Sequence, residues 1–207
     1  MNKGFTTETE EKLLRGIYKG KIYIIENPQY IKKTVAIMVK YNVLGFDTET
    51  KPSFQKGTRN KVSLLQFYNS EAAFLFRINK TGFHPTLVKL FEDESVLKVG
   101  IGIRDDLFGL KKLKNFNPGG FLDLQSLAPK YGFSELSLKG LAAETLKLRI
   151  SKRQRLTNWE ADKLTNPQII YAATDAWIAL SIYNKFKMIE NIDSVETNSN
   201  EIDIIEY

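Results

Sequence analysis

"VLGFDTET", residues 43–50, runs from apolar residues into two acids. Val43, Leu44 and Phe46 have the character of a buried strand. Asp47 and Glu49 stand two residues apart, and on a strand the side chains at i and i+2 share one face, with Cα atoms about 6.5–7 Å apart. Ionised carboxylates are seldom fully buried unless they are paired or bind a metal. Two acids on one face at a strand end can converge on a small hard cation, and oxygen-only donors suit Mg²⁺ or Mn²⁺. Taken alone, D-x-E also describes a solvated strand end, so the rest of the chain has to decide.

Outward from this stretch, "KIYIIE" (21–26) reads as a strand and 27–42 as a helix started by Asn27 and Pro28. "KVSLLQFYN" (61–69) and "AAFLFRI" (72–78) form a hairpin across 69–71. A helix follows near 85–93, a strand at 96–101, and a helix over 104–116 that ends before "NPGG". "FLDLQSLAPKYG" (121–132) is a short strand running into a helix, and "LSLKGLAAETL" (136–146) is a helix. "KLRISKRQRLTNW" (147–159) is an irregular basic connection. Residues 166–190 are a long helix with Asn166 as cap and Pro167 behind it. Near the start, 7–18 reads as a short amphipathic helix with acids in its first turn. The acidic stretch 191–207 reads as disordered. Strands come early and helices late around a mixed sheet, so the class is α/β, with one domain over 1–190.

Charge adds a partner. The 207 residues carry a net +6, but unevenly: 191–207 hold five acids and no Lys or Arg, so the other 190 residues carry 30 basic and 19 acidic side chains. A basic body favours polyanions, nucleic acid first. No apolar run approaches the roughly 18 residues of a membrane span, and the N-terminal residues lack the apolar core of a secretory signal. There are no cysteines. That excludes disulfides, zinc–thiolate sites and Cys nucleophiles, and it fits an intracellular, cytoplasmic protein.

Two further stretches carry acids in apolar surroundings. In "IIYAATDAWIAL" (169–180), Asp175 lies among apolar helix residues and Tyr171 sits one turn earlier on the same face. In "VGIGIRDDLFGL" (99–110), Gly100 and Gly102 suggest a dinucleotide loop, but Asp105 stands where G-x-G-x-x-G needs its third glycine. The stretch reads instead as a tight strand-to-helix turn with Asp105 and Asp106 at the helix start, one of them as cap. The single histidine, His84, precedes Pro85 and reads as an ordinary surface residue; nothing supports a Ser–His–Asp triad.

Together the three acidic stretches resemble, in order and separation, the three motifs of the DEDD superfamily of 3'-5' exonucleases. Tyr171, four residues before Asp175, resembles the tyrosine of the DEDDy subgroup, and "KVSLLQFYNSEAAFLF", "FLDLQSLA", "SLKGLA" and "LTNWEADKLTNPQIIYAATDAW" are similar to RNase D-like and Werner-type exonuclease domains over roughly 20–190. The resemblance implies a ribonuclease H-like fold, a mixed β-sheet flanked by helices, and a metal-dependent 3'-5' exonuclease acting on DNA or RNA. It implies two divalent ions, Mg²⁺ or Mn²⁺, about 3.5–4 Å apart. Asp47 would contact both, Glu49 and Asp175 would hold the nucleophile-side ion, Asp106 would act directly or from outside the ligand shell, and Tyr171 would hydrogen-bond the attacking water. A catalytically silent nucleic-acid-binding module on the same fold is the alternative. The pattern of acid, any residue, aromatic selects Asp106, with Phe108 as the aromatic, and leaves Asp105 as the cap. Lys152, Arg153 and Arg155, and a second group at Lys111, Lys112 and Lys114, are candidates to grip phosphates, with a solvated face as the other reading. Trp159 is expected to pack in the core.

Overall fold

The structure, a computed structural model, describes residues 13–53 and 60–199, with side chains through Glu190. In chain order the elements are β1 (Leu14–Arg15), β2 (Lys21–Ile25), α1 (Ile31–Met38), β3 (Val43–Thr50), β4 (Val62–Tyr68) and β5 (Ala72–Phe76). There follow α2 (Ile78–Thr81), α3 (Pro85–Glu92), β6 (Leu97–Gly100), α4 (Ile103–Lys111) and β7 (Phe121–Asp123). The last are α5 (Leu124–Leu127), α6 (Leu138–Leu146), β8 (Leu148–Arg149) and α7 (Asn166–Ser199). Six strands form one mixed sheet in the order β2-β5-β4-β3-β6-β7. The β3–β4–β5 meander is antiparallel, whereas β2, β6 and β7 join it as parallel neighbours.

Helices cover both faces, which is why β4 and β5 read as nearly unbroken apolar runs and not as alternating ones. One face carries Leu44, Phe46, Phe67 and Phe76 against α1 and α3. The other is covered by α7, whose Ala172, Ala173 and Ala176 are buried. Small residues let α7 lie close to the sheet. A Cβ on Gly45 would stand 2.0 Å from the Ala176 carbonyl oxygen, so this strand position needs glycine. Along β3 the alternation then places Gly45, Asp47 and Glu49 towards α7, and Leu44, Phe46 and Thr48 towards the other layer.

Buried charge ties the connections down. Arg77, fully buried, pairs with Glu26 at 2.7 Å and donates to the carbonyls of Ala161 and Asp162, fastening the segment before α7 to the end of β5. Lys98, also buried, donates to the carbonyls of Leu90 (3.0 Å) and Asp93 (2.7 Å) at the end of α3. Burial pushes its ammonium down to about 8.

Several expectations need correction. No helix covers 13–18: Leu14 and Arg15 form β1 and pair in parallel with Leu148 and Arg149, and 7–12 lie outside the described residues. The long helix, expected over 166–190, continues to Ser199, and 200–207 lie outside the described residues. Its cap is Thr165, not Asn166. Gln168 N–H points to Thr165 Oγ1 at 3.4 Å and Thr165 N–H donates to Gln168 Oε1 at 2.9 Å, a reciprocal capping box. His84 caps α3, its Nδ1 accepting from Thr86 N–H at 3.1 Å. Trp159 is fully buried, as expected.

Candidate active site

The site grows from the end of β3. Asp47 pairs with Gln66 across the antiparallel ladder and Glu49 with Leu64, after which the register shifts between Glu49 and Thr50. An irregularity there re-aims side chains at the strand end. Asp175 enters from α7, one residue before the Ala176 carbonyl that rests against Gly45. One oxygen each of Asp47, Glu49 and Asp175 lie within 4.8 Å of one another. Glu49 and Asp175 are buried, at 7% and 5% exposure, and Asp47 is half-buried.

Asp106 arrives from the other side. The turn from β6 into α4 passes through Gly102 at φ +71°, a left-handed conformation that glycine adopts without strain. The helix begins at Ile103, one residue earlier than expected, so Asp105 and Asp106 both lie in its first turn and Asp105 makes no cap. The carboxylate that serves this helix end is Asp123, at the end of β7. It accepts from Gly102 N–H (3.2 Å), Ile103 N–H (3.1 Å) and Gln125 N–H (3.0 Å). Asp106 accepts a short hydrogen bond from the Thr48 hydroxyl. Two of the three predicted motifs thus meet as a three-carboxylate group, and the third stands beside it, on the far side of Thr48.

Electrostatics follow from this crowding. Burial, then the charge of Asp175, holds the Asp47 carboxyl well above its usual range. Burial, with Asp47, Asp175 and Asp106 around it, pushes Glu49 up to about 10, and Arg155 counters in part. Asp175 is pushed up to about 7 by burial, opposed by the Tyr171 hydrogen bond and by Lys152. Burial and Asp47 raise Asp106, which Thr48 opposes. The Tyr171 phenol is raised strongly by burial and by the surrounding carboxylates, so it stays protonated. Such a cluster favours a proton or a cation, and an all-oxygen donor set fits Mg²⁺ or Mn²⁺.

Two clefts open on the β3 end of the group. One, of about 330 Å³, is lined by Asp47, Glu49, Tyr171 and Asp175, with Lys152 and Arg155 on its wall. The other, of about 410 Å³, takes in Asp106, Phe108 and Lys112, and shares Thr48, Glu49 and Arg155 with the first. Of the expected phosphate grip, Lys152 and Arg155 reach the site. Arg153 lines an adjoining cavity beside Tyr171, together with Arg15 of β1. Lys112 sits over the Phe108 ring at 4.3 Å, while Lys111 turns to Phe116. Thr48, Gln66 and Asp123 escape sequence reading: a polar residue in an apolar run shows its role only once its neighbours are known. Asp123 alone leaves a trace, standing at N-cap spacing before Gln125.

The 3'-5' exonuclease family profile matches residues 22–189. The bifunctional 3'-5' exonuclease/ATP-dependent helicase WRN of Mus musculus is 35% identical over 150 residues, which are 70% of this chain and 11% of that protein. A 3'-5' exonuclease of Arabidopsis thaliana is 34% identical over 153 residues, 70% of this chain and 52% of that one. The chain thus spans about half the length, or less, of these curated relatives. The crystal structure of Trypanosoma brucei RNase D in complex with RNA U12 superposes with a TM-score of 0.71 at 19% identity, covering 87% of this chain and 65% of that one, which shows the shared fold. Among the described residues no helix is long and apolar enough to cross a membrane. The extent of the family match, on a ribonuclease H-like sheet with an acidic cluster at the end of an interior strand, establishes that the chain belongs to the 3'-5' exonuclease family.

Proposed function

We propose that this chain is a metal-dependent exonuclease that hydrolyses phosphodiester bonds of DNA or RNA from the 3' end and releases nucleoside 5'-monophosphates. The observation that carries this reading is the convergence of Asp47, Glu49 and Asp175 within 4.8 Å in a buried, basic-walled cleft. Asp47, Glu49 and Asp175 would hold two divalent ions, with Asp106 braced by Thr48 beside them, and such ions would supply a nucleophile at neutral pH and neutralise charge at the phosphate. Tyr171, kept protonated, orients the attacking water through its hydroxyl while leaning on Asp175. Lys152 and Arg155 face the same cleft and draw the phosphates in, with Arg153 behind them. The fold is shared with an RNase D solved with RNA, which supports a nucleic-acid substrate.

The test is a product analysis. Single-stranded DNA and RNA oligonucleotides incubated with the protein and Mg²⁺ or Mn²⁺ should yield nucleoside 5'-monophosphates by mass spectrometry, and a bulky 3' block should protect them. Release of 3'-phosphorylated nucleosides, or digestion that ignores the block, would overturn the proposal.

A further inference from the structure

Gln66 is a polar side chain that neither the core packing nor the chemistry above uses. It lies in β4, a strand buried at all but its last residue, and is 0% exposed. Neither its Oε1 nor its Nε2 has a hydrogen-bond partner among the described residues. Its neighbours two positions away on the same face, Leu64 and Tyr68, belong to the apolar packing around Ala172 and Ala173 of α7. An aliphatic side chain would fill such a place. A buried amide with both ends unmet is costly, and native proteins seldom leave one so.

Register says what stands beside it. Gln66 is the cross-strand partner of Asp47. Directly opposed residues of an antiparallel pair share a face, with Cβ atoms about 4.5–5.5 Å apart. The orphan amide is thus the nearest cross-strand neighbour of the acid placed at the centre of the cluster. Asp47 accepts a backbone hydrogen bond from Thr48, which leaves most of its acceptor capacity open. Carboxylates that ligate metals are themselves hydrogen-bonded by groups behind them, which fixes their orientation.

We infer that Gln66 is a positioning residue for the metal centre: its amide N–H, through one buried water, holds the Asp47 carboxylate in the orientation that accepts a divalent cation. The inference rests on the proposed reading of Asp47 as a metal ligand. Gln66 touches no substrate. A glutamine suits the task because it donates without adding a further negative charge to a cluster already crowded with them.

Mn²⁺ binding to the nucleic-acid-free protein, followed by calorimetry or by the electron paramagnetic resonance signal of free Mn²⁺, tests it without reference to activity. Gln66→Leu and Gln66→Met keep the volume and remove both unmet polar ends, so both should fold with a melting temperature at or above the wild type. Their Kd for Mn²⁺ should rise about 10–100-fold, the usual effect of losing such a support. Folded variants that bind Mn²⁺ with the wild-type Kd would overturn the inference and leave the metal centre standing. Failure of both variants to fold would also overturn it, since the amide would then serve the core. Absence of Mn²⁺ binding in the wild type would instead remove the metal-centre reading on which the inference depends.

Discussion

At the scale of single residues, the cluster is a place where the fold works against itself. Glu49, Asp175, Asp47 and Asp106 all bind a proton more tightly in the folded chain than in the unfolded one, because burial and mutual repulsion disfavour their charged forms. A carboxyl raised by folding contributes stability that is complete below its unfolded value, near 4, and is lost as pH climbs through the folded one. That window runs upward through about 7 for Asp175 and about 10 for Glu49. The metal-free protein should therefore melt at progressively lower temperature from pH 5 to pH 9, and saturating Mg²⁺ or Mn²⁺ should flatten the fall. Melting curves in EDTA and in divalent cation, at matched ionic strength, check this; a metal-free curve that rises with pH would contradict it. The spacing of Asp47 and Glu49, and the isolation of Asp175 among apolar residues, made these three legible before any coordinates. Gln66 and Thr48 were not legible, because a glutamine or threonine in a strand looks the same whether it faces solvent, core or a carboxylate.

At the scale of elements, the site depends on how closely two of them approach and on where a third begins. Gly45 admits the Ala176 carbonyl of α7, and any Cβ there must push the helix outward. Gly45→Ala should cost about 1–3 kcal/mol, as overpacking does, and should weaken Mn²⁺ binding because Asp175 moves with the helix. Wild-type melting and Mn²⁺ affinity in this variant would refute the close-packing account. The start of α4 supplies a second contrast. Asp123 receives the Gly102 and Ile103 N–H groups, so Asp123→Ala should lose about 0.5–2 kcal/mol. Asp105→Ala, at a position with no capping hydrogen bond, should stay within about 0.5 kcal/mol of wild type. Urea titrations of both variants decide; the reverse order would put the cap back on Asp105. The strands of the six-stranded sheet and the hairpin were read correctly because their apolar runs are bounded by turn residues. Helix ends were read less well. Asn166 and Asp105 are good capping types, yet Thr165 and Asp123 do the capping, since a cap is settled by which side chain reaches the free N–H groups.

At the scale of the whole molecule, a basic body surrounds an acidic hole. Lys152 and Arg155 wall the cleft and Arg153 lines the cavity behind Tyr171, so neutralising all three should weaken binding of single-stranded nucleic acid. If each meets a phosphate, the slope of log affinity against log salt should become shallower by about 2, at roughly 0.7 per contact; an unchanged slope would return the run to a solvated face. The α/β class and the mixed sheet could be read from the order of apolar runs, while the β1–β8 pairing could not, because two-residue strands 134 positions apart leave no pattern. The central claim is that the acidic cluster is a working catalyst and not the relic of one. It is tested most directly by following a 5'-labelled oligonucleotide with wild-type protein and with Asp47→Asn, each in Mn²⁺ and in excess EDTA. Wild type in Mn²⁺ should shorten the substrate stepwise from its 3' end, while EDTA or the substitution abolishes shortening and Asp47→Asn still binds the strand. Intact substrate with wild-type protein in Mn²⁺, despite measurable binding, would contradict the claim and leave a silent nucleic-acid-binding module; shortening that persists in EDTA would contradict the metal-dependent mechanism.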